Sequence, residues 1–229
     1  DPGGRDGEGS LKIGCADPLQ TKGIARMSSE SLPLSCACGD VQGTLAGGTG
    51  CYIVCYCADC QQMHNFLGKE SLMDAEGGMH YRMTAPGDIK FTKGANKIKS
   101  MKLAEKTDTV RWYTECCKSP IGATVSALPP FMVDLSTSFI SKTANPQLVT
   151  RSLGPLSLRL FADSSKKDTS SLTNPRPSSR TFWLFAYMWR MVSCSFRWWW
   201  HGRLGPHPFF AQGGKALICE PSLVKAKIA

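Results

Sequence analysis

Seven cysteines carry the first chemistry legible in this chain. Cys36-Ala-Cys38-Gly is followed by Cys55-Tyr-Cys57-Ala-Asp-Cys60, and Cys116-Cys117 lies further on. Zinc takes thiolates in a tetrahedron with Zn–S near about 2.3 Å, so its ligands come in short spacings such as these. A Cys-x-Cys pair reaches one ion only where the backbone bends sharply, and Gly39 is a residue that permits the bend. Cys55, Cys57 and Cys60 offer three sulfurs from one loop, and three protein ligands leave a coordination position vacant, as catalytic zinc requires. Cys36 and Cys38 need further ligands, and Cys116-Cys117 is the obvious supplier. The alternative of buried free thiols suits Cys15, Cys51, Cys194 and Cys219 better than these seven.

The totals agree with metal rather than disulfides. A chain of 229 residues folds without staples, yet six of its eleven cysteines fall between 36 and 60. A reducing intracellular compartment is therefore expected, not secretion. Residues 142–229 carry 13 Lys+Arg against 3 Asp+Glu, whereas 1–141 carry 14 against 15, so the basic excess is all C-terminal. Such an excess suits nucleic acid, anionic lipid or an acidic partner, or is simply a solvated surface. The chain begins at Asp1, which fits a removed leader, a trimmed start or a natural start at Met27.

The elements that must position these residues are short and β-leaning. Asp40–Leu45, Cys51–Tyr56, His80–Met83, Ile89–Thr92, Ile98–Leu103, Val110–Glu115 and Ile121–Val125 each read as a strand, punctuated by Gly-Gly, Pro-Gly and Lys-Gly-Ala-Asn. Phe131–Ile140 is too short to assign between strand and helix. Residues 1–33 read as an extended tail. Residues 34–229 read as one domain, with a Ser/Thr/Pro/Lys-rich loop at 162–180 and an aromatic helix at 181–200. That helix has the length of a membrane span, but Arg190 and Arg197 would each cost about 2.5–3.5 kcal/mol near a bilayer centre. Packing on the β domain is the leading expectation, and an interfacial helix with Trp198–Trp200 among headgroups the next.

The strings Cys36-x-Cys38-Gly-x-Val, Cys55-x-Cys57-x-x-Cys60-Gln and Cys117-Lys-Ser-Pro-Ile resemble the glutathione-dependent formaldehyde-activating enzyme family, which includes centromere protein V. The double cysteine and the Gly202-Arg…Pro-Phe-Phe210 stretch resemble one branch of that superfamily. The resemblance spans roughly Leu34 to Val224. It implies a mainly β fold: a β-tent of short antiparallel strands pinned by zinc, here with C-terminal helical additions. It implies one zinc on Cys36, Cys38 and Cys117 and a second on Cys55, Cys57 and Cys60. Where the family has the first cysteine of a CxxC pair this chain has Thr114, a poor ligand. Cys116 would have to substitute, although neighbours on a strand point to opposite faces.

The resemblance further implies carbon–sulfur lyase chemistry, the joining of formaldehyde or a related electrophile to glutathione. His64 is the candidate general base, and Lys69, Lys93 or Arg111 the candidate contacts for glutathione carboxylates. The competing class is a noncatalytic, zinc-stabilised accessory subunit of a larger, membrane-associated assembly, contacting protein partners through 1–26 and 181–200. Nucleic-acid binding ranks third, because aromatic and basic residues are not interleaved on a β surface.

Overall fold

The computed structural model describes residues 31–47, 50–125, 131–170, 172, 180–210 and 218–224, with 180–184 described by backbone alone. The tail before residue 31, including Cys15, and residues 173–179 of the expected loop lie outside the described residues.

Short β-leaning runs separated by turn residues build two sheets. The smaller has the order β1-β2-β5, from Leu32–Ser35, Gln42–Leu45 and Ile89–Lys93. The larger has eight strands in the order β10-β3-β4-β9-β8-β7-β6-β11. Its members are β3 (Cys51–Cys55), β4 (Met79–Thr84), β6 (Ile98–Lys102), β7 (Thr109–Thr114), β8 (Pro120–Val125), β9 (Val133–Ser136), β10 (Leu156–Leu160) and β11 (Ser222–Leu223). The fold is mainly β, and all seven expected strands are present within a residue or two. It is not wholly antiparallel, however: β10 joins β3, and β11 joins β6, in parallel. Both late strands return after crossovers, a connection that local sequence does not announce. β1 opens at Leu32, so Leu32 and Pro33, read above as tail, pair with Leu45 and Thr44. Phe131–Ile140 resolves into β9 and a single 3-10 turn at Thr137–Phe139.

Side chains from both sheets make one core. Leu32, Leu34, Val41 and Leu45 meet Trp112, Ile121, Val133 and Leu135, all at most 2 % exposed. The C-terminal stretch completes it. Phe209 stacks on Trp112 with centroids 4.4 Å apart and planes 15° off parallel. Arg203 forms a two-pronged ion pair with Asp88, and Gly87 donates its amide to the Arg203 carbonyl at 2.9 Å. The Gly-Arg…Pro-Phe-Phe stretch is thus a clasp, anchored by buried Phe209 and Phe210, between the late part of the chain and the middle of the fold.

Three α-helices lie among the described residues: α1 (Ala58–Leu67), α2 (Pro146–Leu153) and α3 (Arg180–Trp200). The aromatic helix is α3, and no helix among the described residues is long and apolar enough to cross a membrane. Its buried side carries Arg190 and Trp198, with Tyr187, Met191 and Cys194 partly buried, packed on Cys51, Ile53, Met83 and Leu158 of the large sheet. Beyond that side Phe185, Trp189, Val192, Phe196 and Trp199 stay between 57% and 74% exposed, with Val192, Phe196 and Trp199 flanking the sheet near Asp134.

Two outcomes are expected from this packing. Phe209→Ala should lower stability by about 3–5 kcal/mol in urea titration, because it empties the space over Trp112. The second concerns Asp134, whose carboxyl is pushed up to about 7 by burial, against an opposing hydrogen bond from Tyr187. The folded chain then holds a proton that the unfolded chain releases near pH 3.8, so this group's contribution to stability is lost as pH rises towards 7. Asp134→Asn should therefore gain stability relative to wild type between pH 4 and pH 8.

Candidate metal centre and thiol site

The first cluster forms where hairpin turns from the two sheets meet. Cys36 and Cys38 occupy the turn between β1 and β2. It closes through the Gly39 amide on the Cys36 carbonyl at 3.1 Å, with Gly39 at φ 77°, the left-handed region that suits glycine. The Val41 amide donates to the Cys36 sulfur at 3.2 Å, and the Asp40 amide donates to Cys38. Amides aimed at sulfur favour thiolates, the ligand form. Cys116 and Cys117 lie just beyond β7, in the turn that leads to β8, with Lys118 at φ 56°. Because they lie on a turn, the alternation of a strand does not separate them. All four sulfurs lie within 4.8 Å of one another.

Thr114 is not among the four. Its hydroxyl lies 3.5 Å from the Cys117 sulfur, and Ser119 lies 3.1 Å from that sulfur on the other side. Burial disfavours ionisation of Cys117, but these hydroxyls and the Cys38 amide prevail and bring it down to about 5. Cys38 benefits from the Asp40 amide, yet its thiol neighbours, Cys116 first, hold it at about 12. One thiolate forms readily in this cluster, and the next requires a cation.

The second cluster is local. Cys55 ends β3, Cys57 caps α1, and Cys60 lies in its first turn, with the three sulfurs within 4.8 Å of one another. The Cys57 sulfur accepts from the Cys60 amide at 3.4 Å, where an N-cap usually has an oxygen. Hydrogen bonds from Cys55 and then Cys60, with Arg111 nearby, hold Cys57 down to about 3 despite its burial. The same neighbours leave Cys60 at about 12 and Cys55 well above an ordinary thiol. The Tyr81 hydroxyl donates to Cys60 at 3.7 Å.

Both clusters pass a test of metal fit. Zn–S bonds of about 2.3 Å put tetrahedral sulfurs about 3.8 Å apart. The contacts here are 3.5, 3.9, 3.3 and 4.0 Å in the first cluster and 3.7 Å between Cys55 and Cys60 in the second. The donor set is sulfur alone, which selects soft or borderline metals such as zinc over calcium or magnesium.

Around the clusters the remaining candidates separate. His64 is 1% exposed, and its Nδ1 donates to the Cys60 carbonyl at 2.9 Å. Burial lowers its pKa, leaving a neutral ring that lines a cavity of about 130 Å³ with His80, Ser136 and Ser138. Arg111 is buried in an ion pair with Asp59 at 3.0 Å, so its charge serves the second cluster and is not offered to a solvent-borne carboxylate. Lys93 donates to the Gly39 carbonyl at 3.3 Å, beside the first cluster and away from the second.

Sequence reasoning missed Arg111 as a charge partner of thiols, because its partners lie more than fifty positions away. It also missed a network that joins Tyr52, Tyr56, Asp74, His80 and Arg159 across β3, β4, β10 and the loops beside them. Tyr52 bonds His80 Nδ1 at 2.5 Å, while Tyr56 donates to Asp74 at 3.2 Å and accepts from Arg159 at 2.6 Å. Only the alternation of Tyr52 and Tyr56 with apolar neighbours hinted at it.

A family model described as a family of unknown function (DUF6151) matches residues 27–217. The chain belongs to this family. The DUF6151 match takes in both cysteine clusters, α3 and the Arg203–Phe209 clasp. Among solved structures, a Rhodobacter sphaeroides protein is similar at 16% identity and a TM-score of 0.38, covering 55% of this chain and 97% of its own. No curated protein matches.

The two clusters predict a reactivity order. In metal-free, reduced protein at pH 6, iodoacetamide should alkylate Cys57 and Cys117 ahead of Cys38, although Cys38 is the more exposed. Peptide mass spectrometry over a time course reads this directly.

Proposed function

We propose that this chain is a zinc protein of two unlike sites, and that the second site performs thiol-adduct chemistry of the formaldehyde-activating kind. The observation that carries the reading is the convergence of Cys55, Cys57 and Cys60 at the start of α1, three sulfurs with no fourth cysteine beside them among the described residues. The first cluster has four sulfurs and suits a closed structural ion joining the two sheets, the pin of a β-tent. Bound at the second cluster, zinc would supply Lewis acidity and favour the deprotonated form of an incoming thiol such as glutathione.

The chain's own residues prepare that site. The amides of the first turn of α1 and the nearby Arg111 guanidinium favour negative charge at Cys57. Tyr81 holds Cys60 from one side, and Arg111 bonded to Asp59 fixes the first turn from the other. His64, bonded to the Cys60 carbonyl, is a positioning residue for this loop rather than the general base. In the reaction the glutathione thiolate attacks the aldehyde carbon and a C–S bond forms. The carbonyl π pair moves to oxygen, which takes a proton to give S-hydroxymethylglutathione.

The second reading, a noncatalytic accessory subunit, is favoured by one observation: the open aromatic side of α3, including Trp189 at 74% exposure. It predicts self-association or poor solubility of the isolated chain, and a stable monodisperse monomer in light scattering would count against it.

Metal analysis separates these claims. Inductively coupled plasma mass spectrometry should find two zinc ions per chain, and Cys57→Ser should retain one. Cys116→Ser should lose the other ion together with thermal stability. Titration calorimetry with millimolar glutathione should give saturable heat for wild type and none for Cys57→Ser. Zinc without glutathione binding would remove the enzymatic reading, and absence of metal would remove both.

A further inference from the structure

Between α3 and the large sheet lies a cavity of about 480 Å³, in the size range of small-molecule sites. One wall is the sheet, from Thr109 and Ala123 to Asp134, and the other is α3, with Tyr187, Met191, Phe196 and Trp199. Neither thiol cluster lines it. Two features give it chemical character beyond being apolar.

First, Asp134 is the one acidic residue among those that line it, and above about pH 7 it is ionised. Tyr187 hydrogen-bonds the carboxyl, yet its Oδ1 is buried with no hydrogen-bond partner. A buried carboxylate oxygen left unpaired is costly, and a cation or a donor brought to it removes that cost. Second, four aromatic rings line the same space: Phe131, Tyr187, Phe196 and Trp199. Ring faces attract cations that shed their water readily, which organic ammonium groups do and sodium does not. A neutral hydrocarbon would satisfy the walls and leave Asp134 unpaired. An anion would be repelled by Asp134.

We propose that this cavity binds an apolar organic cation, an alkyl- or aryl-ammonium whose charge meets Asp134 and whose hydrocarbon body lies among Phe131, Phe196 and Trp199. The ring-and-carboxylate lining selects for charge, and the volume admits a ligand of one ring or a short alkyl chain. The site is independent of the zinc reading, since no cysteine of either cluster takes part in it.

The test uses the full chain at about pH 8.5, where Asp134 is ionised, and three probes of similar shape: benzyltrimethylammonium, its neutral carbon isostere neopentylbenzene, and benzenesulfonate. Binding is followed by tryptophan fluorescence and, for the cation, by calorimetry. The expected result is saturable one-to-one binding of the cation, weaker binding of the isostere and none of the sulfonate. Asp134→Asn should weaken the cation about tenfold or more and leave the isostere unchanged. Ser195→Lys, which places a fixed cation at the wall of the cavity, should abolish binding of the ammonium probe; it is the fallback should Asp134→Asn fail to fold, as judged by circular dichroism. No saturable binding of the cation, equal affinity for the isostere, or cation binding unmoved by either folded variant would overturn the proposal.

Discussion

Four sulfurs from two hairpin turns meet at one point, and the relation of the two sheets depends on that meeting. Cys36 and Cys38 belong to the three-stranded sheet, and Cys116 and Cys117 to a turn of the eight-stranded one. Apolar packing between the sheets is nondirectional and tolerates sliding. The turns add direction: the Ala37 amide bonds the Ser119 hydroxyl at 3.0 Å, and the same hydroxyl lies against the Cys117 sulfur. The core and the cluster therefore set one geometry by two means. Where Gly94 passes Asp40 the backbones come so close that a Cβ would lie 2.2 Å from a carbonyl oxygen, so the small sheet admits little adjustment.

The second cluster needs none of this. It is assembled by a single strand-to-helix junction, and its electrostatics come from the start of α1 and from Arg111 on β7, in the middle of the large sheet. The two sites thus differ in kind. One joins distant parts of the fold, and the other is a local feature resting on a finished surface. This division supports the roles proposed for them, structural for the four-sulfur site and chemical for the three-sulfur site.

Much of the fold was legible because its strands are short β-leaning runs punctuated by turn residues. The helix α1 was not, since its N-cap is a cysteine rather than Ser, Thr, Asp or Asn, and its residues divide evenly between apolar and polar. Both clusters were legible from spacing, Cys116 included, and the objection that neighbours on a strand diverge does not apply because the pair lies on a turn. The left-handed Lys118 that turns the chain there carries no sequence signature. The parallel edges formed by β10 and β11, and the pairing of Arg111 with Asp59, join positions 52 to 121 residues apart, which no local pattern can reveal. The apolar helix at 181–200 was recognised, but a hydropathy pattern with two apolar sides does not say which one meets the sheet. Burial of Arg190 and Trp198 does.

The separation of the two clusters along the chain also orders their assembly in time. Cys55, Cys57 and Cys60 span six residues, so their sulfurs can gather as soon as the first turn of α1 forms. Cys36 must wait for Cys116, eighty positions later, and closing so long a loop carries a larger entropic cost. On a growing chain emerging from the ribosome, the local cluster is complete while half of the distant one has yet to be synthesised. During that interval Cys36 and Cys38 remain an unfinished pair of thiols, exposed to whatever metal or oxidant reaches them first.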